Sequence, residues 1–403
     1  MAPPRRKSGW VAIAVACMAL GLFGAVPGQA GAATFTVTKT ADTDDGACNA
    51  DCSLREAVKA AFDAQTAACP YFASCNSPAE TVAIPPGTYL EPLGALTVNA
   101  NGFNFGLHGA VSLVGFSPGQ TIIDAQFAHR AIEIPFASVV ELRQMTIRDG
   151  RVAGTPQGTA CDGGHFHGAA VHNHGDLTME NVTIAASLAA DDNGGALANG
   201  TCSGSFNSAS PCPIGRGACA TLVNVTITGN VASVRGGGIF SSQALSLTNV
   251  TIAGNTAQEG FGIFSAAPPA GCVATFGAQV CARPMTMRNT IVAARGQGAK
   301  ACGGQGGLAS LGHNLYTDGT CPSGASDLAN TDPLLSAFQA DATRALLAGS
   351  PAINAGTNTD CPATDERGMP RPQNGICDIG AYERRVRIKW WPPFWPRPWP
   401  PRM

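Results

Sequence analysis

Five segments of this chain share one pattern: ELRQMTI (141–147), LTMENVTI (177–184), TLVNVTI (221–227), LSLTNVTI (245–252) and MTMRNTIV (285–292). Counted from Gln144 through Asn181, Asn224 and Asn249 to Asn289, the steps are 37, 43, 25 and 40 residues. A unit this short cannot bury an apolar face alone and has to stack on its neighbours, with the longer copies carrying inserts.

The columns of the repeat define its geometry. Leu142, Met179, Leu222, Leu247 and Met287 stand two residues before the amide. Met145, Val182, Val225 and Val250 stand one after it, followed by Ile147, Ile184, Ile227, Ile252 and Val292. A straight strand keeps one apolar phase. Here the phase flips at the amide, so the chain bends there, and Gln144, Asn181, Asn224, Asn249 and Asn289 are predicted to form a ladder inside a parallel β-helix. Runs containing Gly194, Gly236 and Gly260 are assigned to a second corner that needs positive φ. The 49 Gly, 28 Pro and 13% charged residues of the 403-residue chain suit short stacked strands. The predicted class is therefore all-β, a right-handed parallel β-helix.

An open solenoid end needs a lid. In CSLREAVKAAF (52–62) Ser53 and Glu56 make a capping box, and Leu54, Ala57, Val58, Ala61 and Phe62 share one face. This stretch is read as a short N-terminal capping helix rather than a cysteine active site, because no base is local and Cys48 is a near partner for Cys52.

Arg5, Arg6 and Lys7, an apolar run from Trp10 to Val26 and small residues at Ala30, Ala32 and Ala33 have the layout of an export leader. Its removal takes Cys17 and leaves fourteen of the 15 cysteines, an even set that favours disulfides. Sequence neighbours suggest Cys48–Cys52, Cys69–Cys75, Cys212–Cys219, Cys272–Cys281, Cys302–Cys321 and Cys361–Cys377, with Cys161–Cys202 remaining. From Thr34 to Glu383 there are 16 basic and 27 acidic residues, a balance that argues against nucleic acid as a partner.

TFTVTKTADTDDGACNADCSLREAV resembles the N-terminal module known by its CSLREA motif. The NVTI coils are similar to right-handed β-helix repeats, and HNLYTDGTCP, TDPLL, GSPAINAG, TDERGMPRP and CDIGAYE resemble the choice-of-anchor Q domain. The resemblance implies a pectate-lyase-like solenoid at a bacterial cell surface, and no agreed reaction. It divides the chain into a leader (1–33), a CSLREA-type cap (34–80), β-helix repeats (81–310), an anchor-type region (311–383) and a Trp/Pro/Arg-rich tail (384–403). Indole and cationic side chains in that tail favour contact with anionic membrane or lipopolysaccharide.

Solenoid enzymes gather acids and bases on one outer face. Of the outward columns here, Glu141, Thr178, Thr221, Ser246, Thr286 and Arg143, Glu180, Val223, Thr248, Arg288, neither clusters acids. Asp191 and Asp192 form the one obvious acid pair, in a turn, and are the catalytic candidates or a calcium contact. His165 with His167, and His172 with His174, are two His-x-His pairs that place imidazoles on one side of an extended chain. They are the candidate ligands of a transition metal, and no other cofactor is expected. A rank of Thr146, Thr183, Thr226 and Thr251 either presents a flat threonine array to ice or reflects β-propensity. The leading expectation is an exported, cell-surface β-helix acting as an adhesive or glycan-contacting module without catalysis. The alternative is a polysaccharide lyase or glycoside hydrolase using loop carboxylates.

Overall fold

The computed structural model describes residues 32–68, 78–98, 110–135, 138–153, 168–200, 219–266, 285–296 and 298–385. Residues 1–31 of the leader, His165, His167, the tail beyond Arg385 and Cys69, Cys75, Cys161, Cys202, Cys212, Cys272 and Cys281 lie outside these residues.

Each coil contributes to the same faces in turn. The first face runs Thr34–Thr36, Glu80–Ala83, Ala110–Val114, through the leading halves of Val139–Arg148, Asp176–Ala185 and Cys219–Thr228, to Ala244–Thr248, Met285–Arg288 and Leu308–Ser310. The trailing halves of the long strands pair with Thr121–Asp124 before them and Thr251–Ala253 after them, making a second face. A third face is a separate seven-stranded sheet from Leu96–Thr97 through Ile132–Ile134, Val171–Asn173, Leu197–Asn199, Ile239–Ser241 and Ile263–Ser265 to Cys302–Gly304. Pairing between coils is parallel and in register: Leu142 faces Met179, Met179 faces Leu222 and Leu222 faces Leu247. The chain is an all-β parallel β-helix, and its interior is the stack of these apolar columns, each of the four residues just named at 0–1% exposure.

The bend between the first two faces has a local cause. Gln144, Asn181, Asn224, Asn249 and Asn289 all hold left-handed backbone, with φ between 48° and 57°. Asparagine enters that region more readily than most residues because its short amide can bond locally. Register is kept on either side, Glu180 with Val223 before the bend and Val182 with Val225 after it, so one left-handed residue reverses the apolar phase. His313 (φ 56°) does the same in the last coil, a position the repeat pattern did not mark. At the corner entering the third face Gly194, Gly236 and Gly260 have φ of 71°, 66° and 60°. A Cβ on Gly236 would also lie 2.4 Å from the Ile239 carbonyl oxygen, so the glycine is required twice over.

The first coil is closed by the helix Leu54–Ala68. The Ser53 N–H donates to Glu56 at 2.7 Å and the Glu56 N–H donates to the Ser53 Oγ at 3.2 Å. Burial works to raise the Glu56 carboxyl, but the N–H groups of Ser53 and Asp45 and the Thr43 hydroxyl outweigh it and hold it down at about 2. Leu54, Ala57, Val58, Ala61 and Phe62 are buried, and Cys48 is bonded to Cys52. Removing the cap by Ser53→Ala is expected to cost about 1 kcal/mol. Faster amide exchange in the first helical turn would register that loss, and exchange as slow as in the parent chain would contradict the capping role.

Chain after Leu315–Tyr316 is largely irregular and folds back along the second face. The Thr183 hydroxyl lies 2.6 Å from the Ala342 carbonyl and 2.6 Å from the Glu366 carboxyl, and Thr226 donates to Glu366 at 2.5 Å. Thr251 accepts the Ala381 N–H at 2.9 Å, while Thr146 donates to the Pro118 carbonyl at 2.6 Å. The threonine rank is therefore not an open array: Thr146, Thr183, Thr226 and Thr251 are 4%, 0%, 1% and 1% exposed. Returning chain satisfies the hydroxyls of Thr183, Thr226 and Thr251, and the Pro118 carbonyl that of Thr146, which leaves no flat face for ice.

That segment also changes the character of the amide ladder. Asn224 donates to Asn181 at 3.1 Å and Asn289 donates to Asn249 at 3.2 Å, so the side chains link in pairs. Their remaining N–H bonds go outward to the returning chain, from Asn224 to Thr364, Asn249 to Asp378 and Asn289 to Thr357. Gln144 stands beyond this roof and is exposed. The amides line a seam between the coils and their C-terminal cover, not the hollow of the helix as the repeat pattern implied.

Candidate functional site

Two of the four histidines singled out in the sequence come together, with a residue the sequence did not single out. His172 lies in the third-face strand Val171–Asn173 and pairs in register with Glu133 in Ile132–Ile134. Ile132 and Ile134 are wholly buried, so strand alternation points Glu133 outward. The turn after Asn173 returns His174 to the same spot, and its N–H donates to the Ile134 carbonyl at 2.9 Å. His172 Nδ1 lies 3.3 Å from Glu133 Oε1, His174 Nε2 lies 3.6 Å from the same oxygen, and the two ring nitrogens are 3.1 Å apart. These three atoms form the group of His, Cys, Asp or Glu ligand atoms close enough to share one ion among the described residues.

The setting sharpens the chemistry. Arg130 bonds the other oxygen of Glu133, Oε2, and donates from Nε to the Gly168 carbonyl at 2.9 Å. Burial pushes the His172 imidazole down to about 3, so it is neutral at ordinary pH. Burial alone would raise Glu133, but the His172 N–H and the Arg130 charge outweigh it and hold the carboxyl at about 2. His172 is 6% exposed, whereas Glu133 and His174 are 25% and 24% exposed, so the group has a closed back and an accessible front.

Among the described residues, Asp191 and Asp192 are not part of this group. Asp191 is exposed in a turn at φ 65°, and Asp192 accepts the Asn193 N–H at 2.7 Å, a turn-making contact. On the first face the outward column Thr81, Ser112, Glu141, Thr178, Thr221, Ser246, Thr286 is continuous in register. Beside it Arg143 pairs with Glu141 at 3.2 Å and with Glu180 at 3.3 Å.

Sequence reading missed two further amide stacks. Asn173 donates to Asn199 at 2.8 Å and Asn199 to Ser241 at 3.0 Å, at the corner leaving the third face. Asn230 donates to Asn255 at 3.0 Å, at the corner leaving the second. The latter had a readable signal, since Asn230 and Asn255 each follow a bend asparagine by six residues in NVTITGN and NVTIAGN.

The strand pairing defines the class: this is a parallel β-helix protein, cross-linked by Cys48–Cys52, Cys302–Cys321 and Cys361–Cys377. Cys219 is also disulfide-bonded. No family model matches the chain, and no curated protein matches it. Among solved structures the chain is similar to the crystal structure of pectate lyase Pel9A, at 16% identity over 89% of this chain and 98% of that one, with a TM-score of 0.23.

Proposed function

We propose that the protein is an exported β-helix of the cell exterior whose first face contacts glycan without catalysis. The observation that carries this is the column of outward hydroxyl side chains Thr178, Thr221, Ser246 and Thr286, which runs on adjoining coils beyond Glu141. Strand spacing sets these groups about 4.8 Å apart in a flat row, which suits an extended polyhydroxylated polymer. Disulfides at both ends of the solenoid accord with an oxidising compartment. The Trp- and Arg-rich tail is assigned, in the same reading, to anionic lipid or lipopolysaccharide.

The enzymatic alternative finds less support in this arrangement. A lyase or hydrolase needs a group that gives or takes a proton at the substrate. Arg143 is paired with both Glu141 and Glu180, and Asp192 is engaged by the Asn193 N–H. On a glycan array the full chain is expected to bind at least one extracellular polysaccharide, and Thr221→Arg, which raises a bulky cation from the middle of the row, should weaken that binding at least about tenfold. Appearance of unsaturated products or new reducing ends on incubation with that polysaccharide would replace this reading with the catalytic one.

A further inference from the structure

We propose that Glu133, His172 and His174 form a binding site for a single transition-metal ion of the zinc class, held by one carboxylate oxygen and two imidazole nitrogens with a further position open to solvent.

Geometry supplies the first argument. A tetrahedral ion with bonds of about 2.0–2.1 Å sets its ligand atoms roughly 3.3 Å from one another. The three atoms here stand 3.1, 3.3 and 3.6 Å apart, close to that spacing, and a modest outward turn of the two rings, whose centroids are 3.9 Å apart, would aim both nitrogens at one ion.

Proton counting supplies the second, and it does not depend on any titration. Glu133 Oε1, His172 Nδ1 and His174 Nε2 each lie near the other two, so they form a ring of three. Each nitrogen is either a donor or an acceptor, and the carboxylate is an acceptor only. If both nitrogens carry hydrogen, two N–H groups face each other at 3.1 Å. If only His172 does, His174 and the carboxylate face each other as acceptors at 3.6 Å. If only His174 does, His172 and the carboxylate do so at 3.3 Å. Two of the choices set like groups against each other within hydrogen-bond distance and the other leaves two acceptors facing at 3.6 Å, whereas a cation among the three atoms satisfies all of them at once.

The surroundings have the layout of a built site. Arg130 occupies Glu133 Oε2 and leaves Oε1 facing the histidines, the orienting role that partners of metal ligands usually play. His172 is fixed by its strand, whose next residue, Asn173, bonds Asn199 and the Cys219 carbonyl at 2.8 and 2.9 Å. Two imidazoles with one carboxylate select a borderline transition ion over calcium or magnesium, which prefer all-oxygen shells. With three protein ligands, the remaining position takes water or an oxygen of a bound molecule.

The test uses the full mature chain without a histidine tag, and Zn2+ alone as the probe in calorimetry. One ion should bind per chain. Glu133→Gln and His174→Ala should each weaken that binding at least about tenfold. A Co2+-loaded chain should show visible ligand-field bands that Glu133→Gln shifts or removes. His165→Ala combined with His167→Ala should leave both readouts unchanged. Absence of saturable Zn2+ binding to the parent chain would overturn the proposal. So would binding that survives Glu133→Gln but is lost with His165 and His167.

Discussion

Replacing Arg371 by Met is expected to destabilise the C-terminal cover by about 3–5 kcal/mol, because it leaves a buried carboxylate without its cation. Arg371 and Glu383 are paired at 3.1 Å with both side chains at 0% exposure. The guanidinium also donates to the carbonyls of Asp378 and Gly380 at 3.1 and 2.8 Å. Asn249 donates to the same two carbonyls from the solenoid, so Arg371 and a bend asparagine hold one piece of backbone between them. Loss of the arginine should therefore free the cover from the coils while the coils stay folded. Amide exchange would show this as lost protection in residues 365–383 with little change in the strands. Adding Glu383→Gln should recover part of the loss, since the amide oxygen still accepts a backbone N–H and no charge is left buried. Equal urea midpoints for Arg371→Met and the parent would show that the pair does not hold the cover.

The second large effect is a pH dependence centred on Glu366. Its carboxyl is wholly buried against the second face, and burial pushes it up to about 8 despite the Thr183 and Thr226 hydroxyls. The hydrogen-bond pattern agrees with a protonated group. Thr183 has one hydroxyl hydrogen, and the Ala342 carbonyl at 2.6 Å takes it, so the 2.6 Å contact to Glu366 is completed by a proton on the acid. The folded-state value lies above the unfolded one, near 4.5. Below that unfolded value both states are protonated and the full contribution is present. Between about 4.5 and about 8 unfolding releases a proton, so stability falls by about 1.4 kcal/mol per pH unit from this group, and above that window the loss is complete. Glu366→Gln keeps the shape without the titration, so the difference between variant and parent unfolding curves should grow with pH across this window. A constant difference from pH 5 to 8 would show that Glu366 is not the titrating group.

The solenoid could be read from the chain because a stacked repeat writes its geometry into columns. A phase flip at Asn181, Asn224 and Asn249 required a bend, and the Ser53 and Glu56 pair marked a helix start that depends on four residues of local chain. The limits of that reading are equally local. Asn230 and Asn255 carried a signal in their six-residue spacing from the bend, whereas Asn173 and Asn199 did not, because inserts of different length separate their coils from the shared motif. His313 takes the bend of the last coil with no asparagine to announce it.

For the candidate site, His172 and His174 were visible as a two-residue spacing. Glu133 lay 39 residues from His172 as an acid between two isoleucines, an ordinary pattern for a half-exposed strand. Only the register of one coil on the next brings it to the histidines.

What the sequence determined by itself is therefore whatever repeats or is local: the coil, its bends, its glycine corner and its capping helix, since backbone conformation and apolar phase depend on neighbours in the chain. Tertiary structure alone decided which outer surfaces remain open. The threonine rank and the hydroxyl column look alike as sequence, yet Thr183, Thr226 and Thr251 are covered by chain that returns from more than a hundred residues away, while Thr178, Thr221, Ser246 and Thr286 are not buried. That choice depends on long-range packing of Glu366, Arg371 and their partners, which no column of the repeat encodes.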